Sequence, residues 1–221
     1  MKKALIVYGG WEGHAPKYGA ELFGGLLEKE GYAVTLSDKL DSFADREALK
    51  DYDLLVPNWT MGDLSGEQSG ALLDAIAAGS GCAGWHGGMG DAFRRDCNFQ
   101  FMVGGQFVAH PGNVKTYTVN MKDKEHPITR GLEDFEITSE QYYMHVDPSN
   151  TVLATTTVDT PPYNWAGQDC TWCIGTVMPV TWTRPFGRGR VAYSSLGHNK
   201  EDFDIPQVRE MILRGLKWAT R

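Results

Sequence analysis

Hydrophobic and polar positions alternate in blocks along the first half of the chain, which predicts a repeating strand–helix pattern. Short apolar runs typical of strands buried on both faces occupy residues 4–8, 33–36, 54–57 and 81–85. Amphipathic helices are predicted at 18–30 and 65–78, each followed by a glycine suited to a left-handed cap. Strands that alternate with helices predict a parallel sheet with right-handed crossovers.

The second half is less regular and predicts strands of mixed or antiparallel character. They are expected at 114–121 and 151–158, with a hairpin formed by 178–183 and 190–194. Arg188 and Arg190 would flank its turn as solvated charges. A polar, aromatic loop is predicted at 161–167 and a closing amphipathic helix at 204–219. No repeat or linker interrupts the pattern, so residues 1–221 are interpreted as one domain with a mostly parallel central sheet.

Composition narrows the function classes. The 221 residues are 42% hydrophobic and 22% charged, as in an ordinary globular protein. A net charge of −7 argues against nucleic acid or an anionic membrane as the main partner. No apolar run approaches the ~18 residues of a membrane span, and the short apolar run after Lys3 is better explained as a first buried strand than as a signal peptide. A cytoplasmic location is therefore expected.

Residues 82–88, with the sequence CAGWHGG, are the most informative segment. They predict the end of a strand and a sharp, glycine-flanked turn that presents His86 to solvent. In many hydrolases such a turn carries a serine or cysteine nucleophile. Imidazole instead exchanges protons near neutral pH or binds a metal, and it seldom carries an acyl group. The segment indicates a hydrolase-like framework with altered chemistry, in which replacing an exposed His86 by alanine would stop turnover at little cost in stability.

Polar residues that follow predicted strands are the candidate functional groups, since ligands bind at the carboxyl ends of parallel strands. Three of the six histidines, His14, His86 and His198, fall at such ends, each close to a glycine. A shared site is therefore expected. His110 lies in a loop after a glycine pair, and Glu140 shares a short segment with Tyr142 and His145.

Two chemistries suit imidazoles and a carboxylate in one cleft. His14, His86 and His198 could hold a divalent ion such as zinc. Alternatively, the same groups could perform metal-free acid–base chemistry on a polyol. Two histidines one helical turn apart, a common zinc motif, are absent from the sequence. Both chemistries remain open at this stage.

Aromatic residues are frequent in or beside the same loops, and they suggest a carbohydrate ligand. Flat rings provide a large contact area for sugar faces at low entropic cost. The residues are Trp11, Trp59, Trp85, Tyr142, Tyr143, Trp165 and Trp182. The alternative for any one of them is a place in the core or rim.

The four cysteines do not indicate a disulfide framework. Cys170 and Cys173 have redox or half-zinc-site spacing without a partner pair, so incidental thiols are expected. Cys82 is expected to be buried. An amidase or peptidase that uses Cys82 or Cys97 beside His198 is a third functional alternative.

The order of several short motifs resembles the ThuA-like (trehalose-utilisation) family. The matching segments are GWHGG at 84–88, VGGQFVAHP at 103–111, HPI at 126–128 with GL at 131–132, EQY at 140–142, PVTWT at 179–183, GRGRV at 187–191 and SLGH at 195–198. The resemblance implies the class I glutamine-amidotransferase-like fold, a flavodoxin-like three-layer α/β sandwich with antiparallel strands added in the second half. It also implies that His86 replaces the nucleophilic cysteine, so glutaminase activity is not expected.

Together, residues and resemblance predict an enzyme that acts on a disaccharide or keto-glycoside by isomerisation, elimination or hydrolysis. The rival is a non-catalytic sugar-binding or regulatory module, and homo-oligomers are plausible for this fold. The expected catalytic residues are His86, His198, Glu140 and His145. The expected substrate-binding residues are Trp11, His14, Asn58, Trp59, His110, Tyr142 and Trp182.

Overall fold

The computed structural model describes residues 1–161 and 170–221. Over these residues the strands are β1 (Lys3–Gly10), β2 (Ala33–Ser37), β3 (Leu54–Thr60), β4 (Gly81–Trp85), β5 (Gly105–Ala109), β6 (Val114–Met121), β7 (Phe135–Glu140), β8 (Tyr143–Val146), β9 (Thr151–Thr157), β10 (Val177–Phe186) and β11 (Gly189–Ser194). The helices are α1 (Pro16–Lys29), α2 (Arg46–Lys50), α3 (Gly66–Ala77), α4 (His86–Gly90), α5 (Cys97–Val103) and α6 (Pro206–Ala219).

Nine strands form one mixed sheet in the order β2-β1-β3-β4-β11-β10-β9-β6-β7. The five strands from β2 to β11 run parallel, and the remaining pairs are antiparallel. This confirms the predicted fold: a flavodoxin-like parallel half, extended by an antiparallel half. Because the parallel strands point the same way, β1, β3, β4 and β11 end at one edge of the sheet.

The sheet is covered on both faces, as the continuous apolar runs predict, except at the edge strand β2, where no residue is buried and the prediction is wrong. Ile6 of β1 packs in one core cluster with Phe23 of α1 and Ile212 of α6. Its neighbour Val7 packs in a second cluster with residues of α3 and α5. Successive side chains of a strand point to opposite faces, so each strand contributes to both cores.

Local signals located the helix ends in the first half well. Gly31 and Gly79 have φ values of 87° and 126°, as left-handed caps require. Ser65 and Gln68 form a reciprocal capping box at the start of α3. Helix α6 begins at Pro206, two residues later than predicted.

Other elements lacked a clear signal. The pattern did not predict α2, α5, β5, β7 or β8, which are short or only partly buried. Arg188 and Arg190 are not simply solvated, since their guanidinium groups donate to the carbonyl oxygens of Ala78 and Thr220. Most of the predicted loop at 161–167, with Trp165, lies outside the described residues. No helix in the described ranges is long and apolar enough to cross a membrane.

Candidate functional site

Four side chains from distant parts of the sequence meet at the carboxyl edge of the parallel strands. His14 ends a single 3-10 turn after β1, His86 follows β4 directly, and His198 lies in the loop after β11. Glu140, the last residue of β7, reaches the same place from the antiparallel half. We call His14, His86, Glu140 and His198 the His–Glu cluster.

The donor atoms of the His–Glu cluster lie close together. Glu140 Oε2 is 3.2 Å from His86 Nε2, 3.3 Å from His198 Nδ1 and 3.8 Å from His14 Nε2. His198 Nδ1 is 3.3 Å from His86 Nε2, and all four donor atoms lie within 4.8 Å of one another. Ligands on a tetrahedral ion with bonds of about 2.1 Å are separated by about 3.4 Å. The cluster therefore has the dimensions of a metal site.

The backbone at His86 is strained, as the predicted turn requires, but the side chain is not exposed. His86 has a φ of 46°, in the left-handed region that non-glycine residues avoid. Its side chain is 1% exposed, which corrects the expectation of a solvent-facing imidazole. Tyr142 stacks on the ring at a centroid distance of 4.0 Å. The Ser195 carbonyl oxygen lies 2.8 Å from Nδ1, and Glu140 Oε2 lies 3.2 Å from Nε2.

Hydrogen bonds orient two of the imidazoles toward the centre. His86 Nδ1 donates to the backbone carbonyl of Ser195 at 2.8 Å, which leaves Nε2 directed at Glu140. His14 Nδ1 is bonded to Thr60 Oγ1 at 2.8 Å, and its Nε2 likewise faces Glu140. Metal-binding histidines usually have such a partner on the second ring nitrogen.

The glycines after His86 make room for this convergence. A Cβ on Gly87 would lie 2.4 Å from the ring of His14, and one on Gly88 would lie 2.3 Å from Asn58 Oδ1. Asn58 Nδ2 in turn donates to the carbonyl of Pro16 at the start of α1. The GWHGG sequence is thus needed for close packing around the site as well as for the turn.

Burial and proximity shift the ionisation of the cluster. Burial lowers the pKa of His86 to about 3 despite the nearby Glu140, so this imidazole is neutral. Burial alone would raise the pKa of Glu140, but the adjacent imidazoles of His14, His198 and His86 hold it well below its usual range. At His198 the effect of Glu140 outweighs burial and raises the pKa. The carboxylate is therefore charged and surrounded by nitrogen donors.

A cleft of about 230 Å³ opens beside the cluster. Five of the predicted site residues line it: Trp11, His14, His110, Glu140 and Tyr142. His110 Nε2 lies 3.8 Å from Glu140 Oε1 and is a quarter exposed. Trp11 is half exposed, and its ring is packed edge-to-face with that of His14, with 4.6 Å between the ring centroids.

Four predicted residues lie elsewhere. His145 is exposed on β8, where it pairs with Gln106. Trp182 is fully buried in the core and donates to the carbonyl of Val103. Trp59 packs over Gly9 and Gly62, and Asn58 is buried behind the site. Among aromatic candidates, only Trp11 and Tyr142 line the cleft in the part of the chain that the structure describes.

Sequence reasoning missed four lining residues, Met61, Asp91, Arg94 and Phe107. Asp91 and Arg94 belong to the segment after α4, which does not directly follow a predicted strand. Their three-residue spacing was the one available signal. Asp202, which bonds the backbone of His198 and the hydroxyl of Ser139, was missed for a similar reason.

The cysteine alternative finds no support in the geometry. Cys82 is fully buried, and burial raises the pKa of its thiol far above the usual range. Cys97 is exposed at the start of α5 and lines a different groove, together with Asp63 and Ser65. Neither thiol lines the cleft beside the cluster.

Fold and site together define an α/β protein with a buried histidine–carboxylate centre at the carboxyl edge of its parallel strands. The family model of ThuA, described as trehalose utilisation, matches residues 3–219, and the chain belongs to this family. A search of curated proteins finds no match.

Solved structures show the same fold. A ThuA-like protein from Bacteroides uniformis aligns with a TM-score of 0.77 and 20% identity over 99% of this chain and 91% of its own. A ThuA-like protein from Parabacteroides merdae aligns with a TM-score of 0.75 and 19% identity, over 99% of this chain and 89% of its own. A cytoplasmic protein from Salmonella typhimurium aligns with a TM-score of 0.64 and 13% identity over the full length of both chains.

Proposed function

We propose that the protein is a metal-dependent enzyme of sugar metabolism, with a divalent transition-metal ion, zinc first among the candidates, held by the His–Glu cluster. Its substrate is a disaccharide or keto-glycoside, and the reaction is an isomerisation, elimination or hydrolysis. A cytoplasmic location, as described for the Salmonella protein, is part of the proposal.

The observation that carries the proposal is the arrangement of lone pairs around Glu140 Oε2. Since the Ser195 carbonyl can only accept, His86 Nδ1 carries the proton and Nε2 presents a lone pair. That lone pair faces a charged carboxylate oxygen 3.2 Å away. Two acceptors at this distance repel unless a cation lies between them. Three imidazoles and a carboxylate are the donor set that zinc and related ions prefer.

The remaining residues of the cleft supply acid–base groups. His110 lies close to the second oxygen of Glu140 and is open to the cleft, so it can exchange protons with a bound substrate. Bound zinc would polarise a substrate carbonyl or activate a water. Trp11 offers an exposed ring face for a sugar.

Metal analysis of the purified protein tests this function. We expect about one equivalent of a divalent ion per chain, removable by a chelator and restored by zinc. Trehalose and other disaccharides are then incubated with the loaded and the chelated protein, and products are followed by NMR. Conversion is expected only with the loaded protein.

The variant Glu140→Gln keeps the size of the side chain and removes its charge, so it should lose the ion. His145→Ala is the control, because His145 is exposed outside the cleft. Stoichiometric metal in Glu140→Gln would contradict the site. Disaccharide binding without conversion would favour the non-catalytic module, and conversion by the chelated protein would favour metal-free acid–base chemistry.

A further inference from the structure

We propose that Asp91 and Arg94 form a ligand-anchoring subsite in the cleft, which binds a neutral oxygen of a sugar ring beside the His–Glu cluster. This inference rests on the proposed function and adds the residues that orient the substrate. The geometry of three features supports it: a fixed guanidinium, a phenol in the cleft wall and a strained backbone that holds this wall in place.

Asp91 fixes the guanidinium of Arg94. The Asp91 side chain is almost fully buried, and its two oxygens accept hydrogen bonds from Arg94 Nε and Nη2 at 2.6 and 2.8 Å. The guanidinium also lies over the ring of Phe107, with 5.8 Å between its carbon and the ring centroid. Arginine has five N–H donors, so this fork uses two of them and leaves others for a ligand in the cleft.

Tyr142 adds a second donor to the same wall. The residue is 3% exposed and lines the cleft, where its ring stacks on His86. Arg94 carries N–H donors and Tyr142 an O–H donor, so the matching ligand group is an acceptor oxygen.

The backbone around this wall is strained at two positions. Met61 and Phe93 are non-glycine residues with φ values of 62° and 48°. The backbone N–H of Met61 donates to the carbonyl of Asp91 at 2.9 Å, and the backbone N–H of Phe93 donates to the carbonyl of Met61 at 3.1 Å. Left-handed non-glycine residues concentrate at functional sites. Here they fix Asp91 and Arg94 against the cleft.

Charge and size narrow the ligand class. The carboxylate of Asp91 balances the guanidinium of Arg94, so the subsite is neutral overall and favours hydroxyl or carbonyl oxygens over a carboxylate. A cleft of about 230 Å³ is smaller than the roughly 300–1,000 Å³ of sites for drug-sized ligands. It accommodates one sugar ring, with any second ring outside.

The test compares two matched rings, methyl glucopyranoside and methyl glucuronopyranoside, which differ only in a hydroxymethyl or a carboxylate group. Each is titrated into zinc-loaded protein and followed by ligand-observed NMR. We expect the neutral ring to bind more tightly. Arg94→Met should weaken its binding at least tenfold with zinc affinity unchanged. Arg95→Met is the control, since Arg95 is exposed and pairs with Asp63.

Arg94→Met leaves the buried Asp91 unpaired and could fail to fold, so the double variant Asp91→Asn/Arg94→Gln, which preserves neutrality, is measured in parallel. Three results would each overturn the subsite. They are wild-type affinity for the neutral ring in a folded Arg94 variant, no binding of the neutral ring by the wild type, and tighter binding of the ring that carries a carboxylate. Zinc affinity is measured in a separate titration, so that the metal site and the subsite are tested independently. A wild type that binds the ring through Arg94 but not zinc would refute only the metal site.

Discussion

At the scale of single residues, His86 combines a strained backbone with a fully enclosed side chain. The left-handed conformation costs a non-glycine residue about 1–2 kcal/mol. Burial and the bond to Ser195 fix the imidazole in one orientation toward Glu140. The residue is therefore held where local preferences alone would not place it, which is typical of functional positions.

The strain at His86 predicts an unusual order of stabilities. Both His86→Ala and His86→Gly remove the imidazole, but only glycine tolerates a φ of 46°. We expect His86→Gly to have the higher free energy of unfolding, by about 1 kcal/mol. Urea denaturation of the two variants measures the difference.

The control is Ala71→Gly in the middle of α3, where the same change from alanine to glycine should lower stability by up to about 1 kcal/mol. Opposite signs at the two positions would confirm the strain. If alanine is the more stable residue at both positions, His86 is relaxed and its conformation needs another explanation.

At the scale of elements, the site depends on contacts between two halves of the sheet. Glu140 ends β7 in the antiparallel half, while His198 follows β11 in the parallel half. Asp202 connects them, because one of its oxygens accepts from Ser139 Oγ at 2.6 Å and from the backbone N–H of His198 at 2.9 Å. Asp202 is therefore a positioning residue for Glu140 and His198.

Removing this connection should loosen the cluster without destroying the fold. We expect Asp202→Asn to weaken zinc binding about 10- to 100-fold, the usual effect of losing a partner of a metal ligand. The absorption spectrum of the cobalt-substituted protein, which reports coordination geometry, should change as well. Asp204→Asn, an exposed neighbour, is the control. If zinc affinity and spectrum are unchanged in Asp202→Asn, Asp202 stabilises only the loop that carries His198 and does not position the cluster.

Element-scale signals also explain what the sequence could predict. The buried strands of the parallel half have unbroken apolar runs, and Gly31 and Gly79 mark helix ends, so the first four strands and the helices α1 and α3 were predicted to within three residues at each end, whereas the short α2 was not predicted. Strand β7 has only two apolar residues among six, Phe135 and Ile137, and it follows an irregular loop, which leaves no comparable signal. The fold family followed from ordered motifs, and the family model confirms it.

The site was less predictable because it depends on pairings between distant strands. His14, His86 and His198 share a strand-end position, so their convergence followed from topology. Asp91 and Arg94 line the cleft through a strained turn, which the sequence pattern does not signal. Trp182 belongs to β10, which is buried without interruption from Val180 to Arg184, so the sequence pattern could not show whether its side chain faces the core or the cleft.

At the scale of the whole molecule, the four side chains of the His–Glu cluster come from nearly the full length of the chain. An unfolded chain cannot bring residues 14, 86, 140 and 198 together, so an ion bound by all four stabilises only the folded state. At a free metal concentration 100 times the dissociation constant, this gain is about 2.7 kcal/mol.

Zinc should therefore raise the melting temperature of the chelated wild type, and the rise should grow with the logarithm of the free zinc concentration. In Glu140→Gln the rise should disappear, because the charged ligand that three imidazoles face is gone. His145→Ala should keep the full rise, since its imidazole is exposed on β8. Differential scanning calorimetry across a zinc series measures all three proteins. An equal rise in Glu140→Gln would mean that zinc binds elsewhere, and the cluster would then act by proton transfer alone.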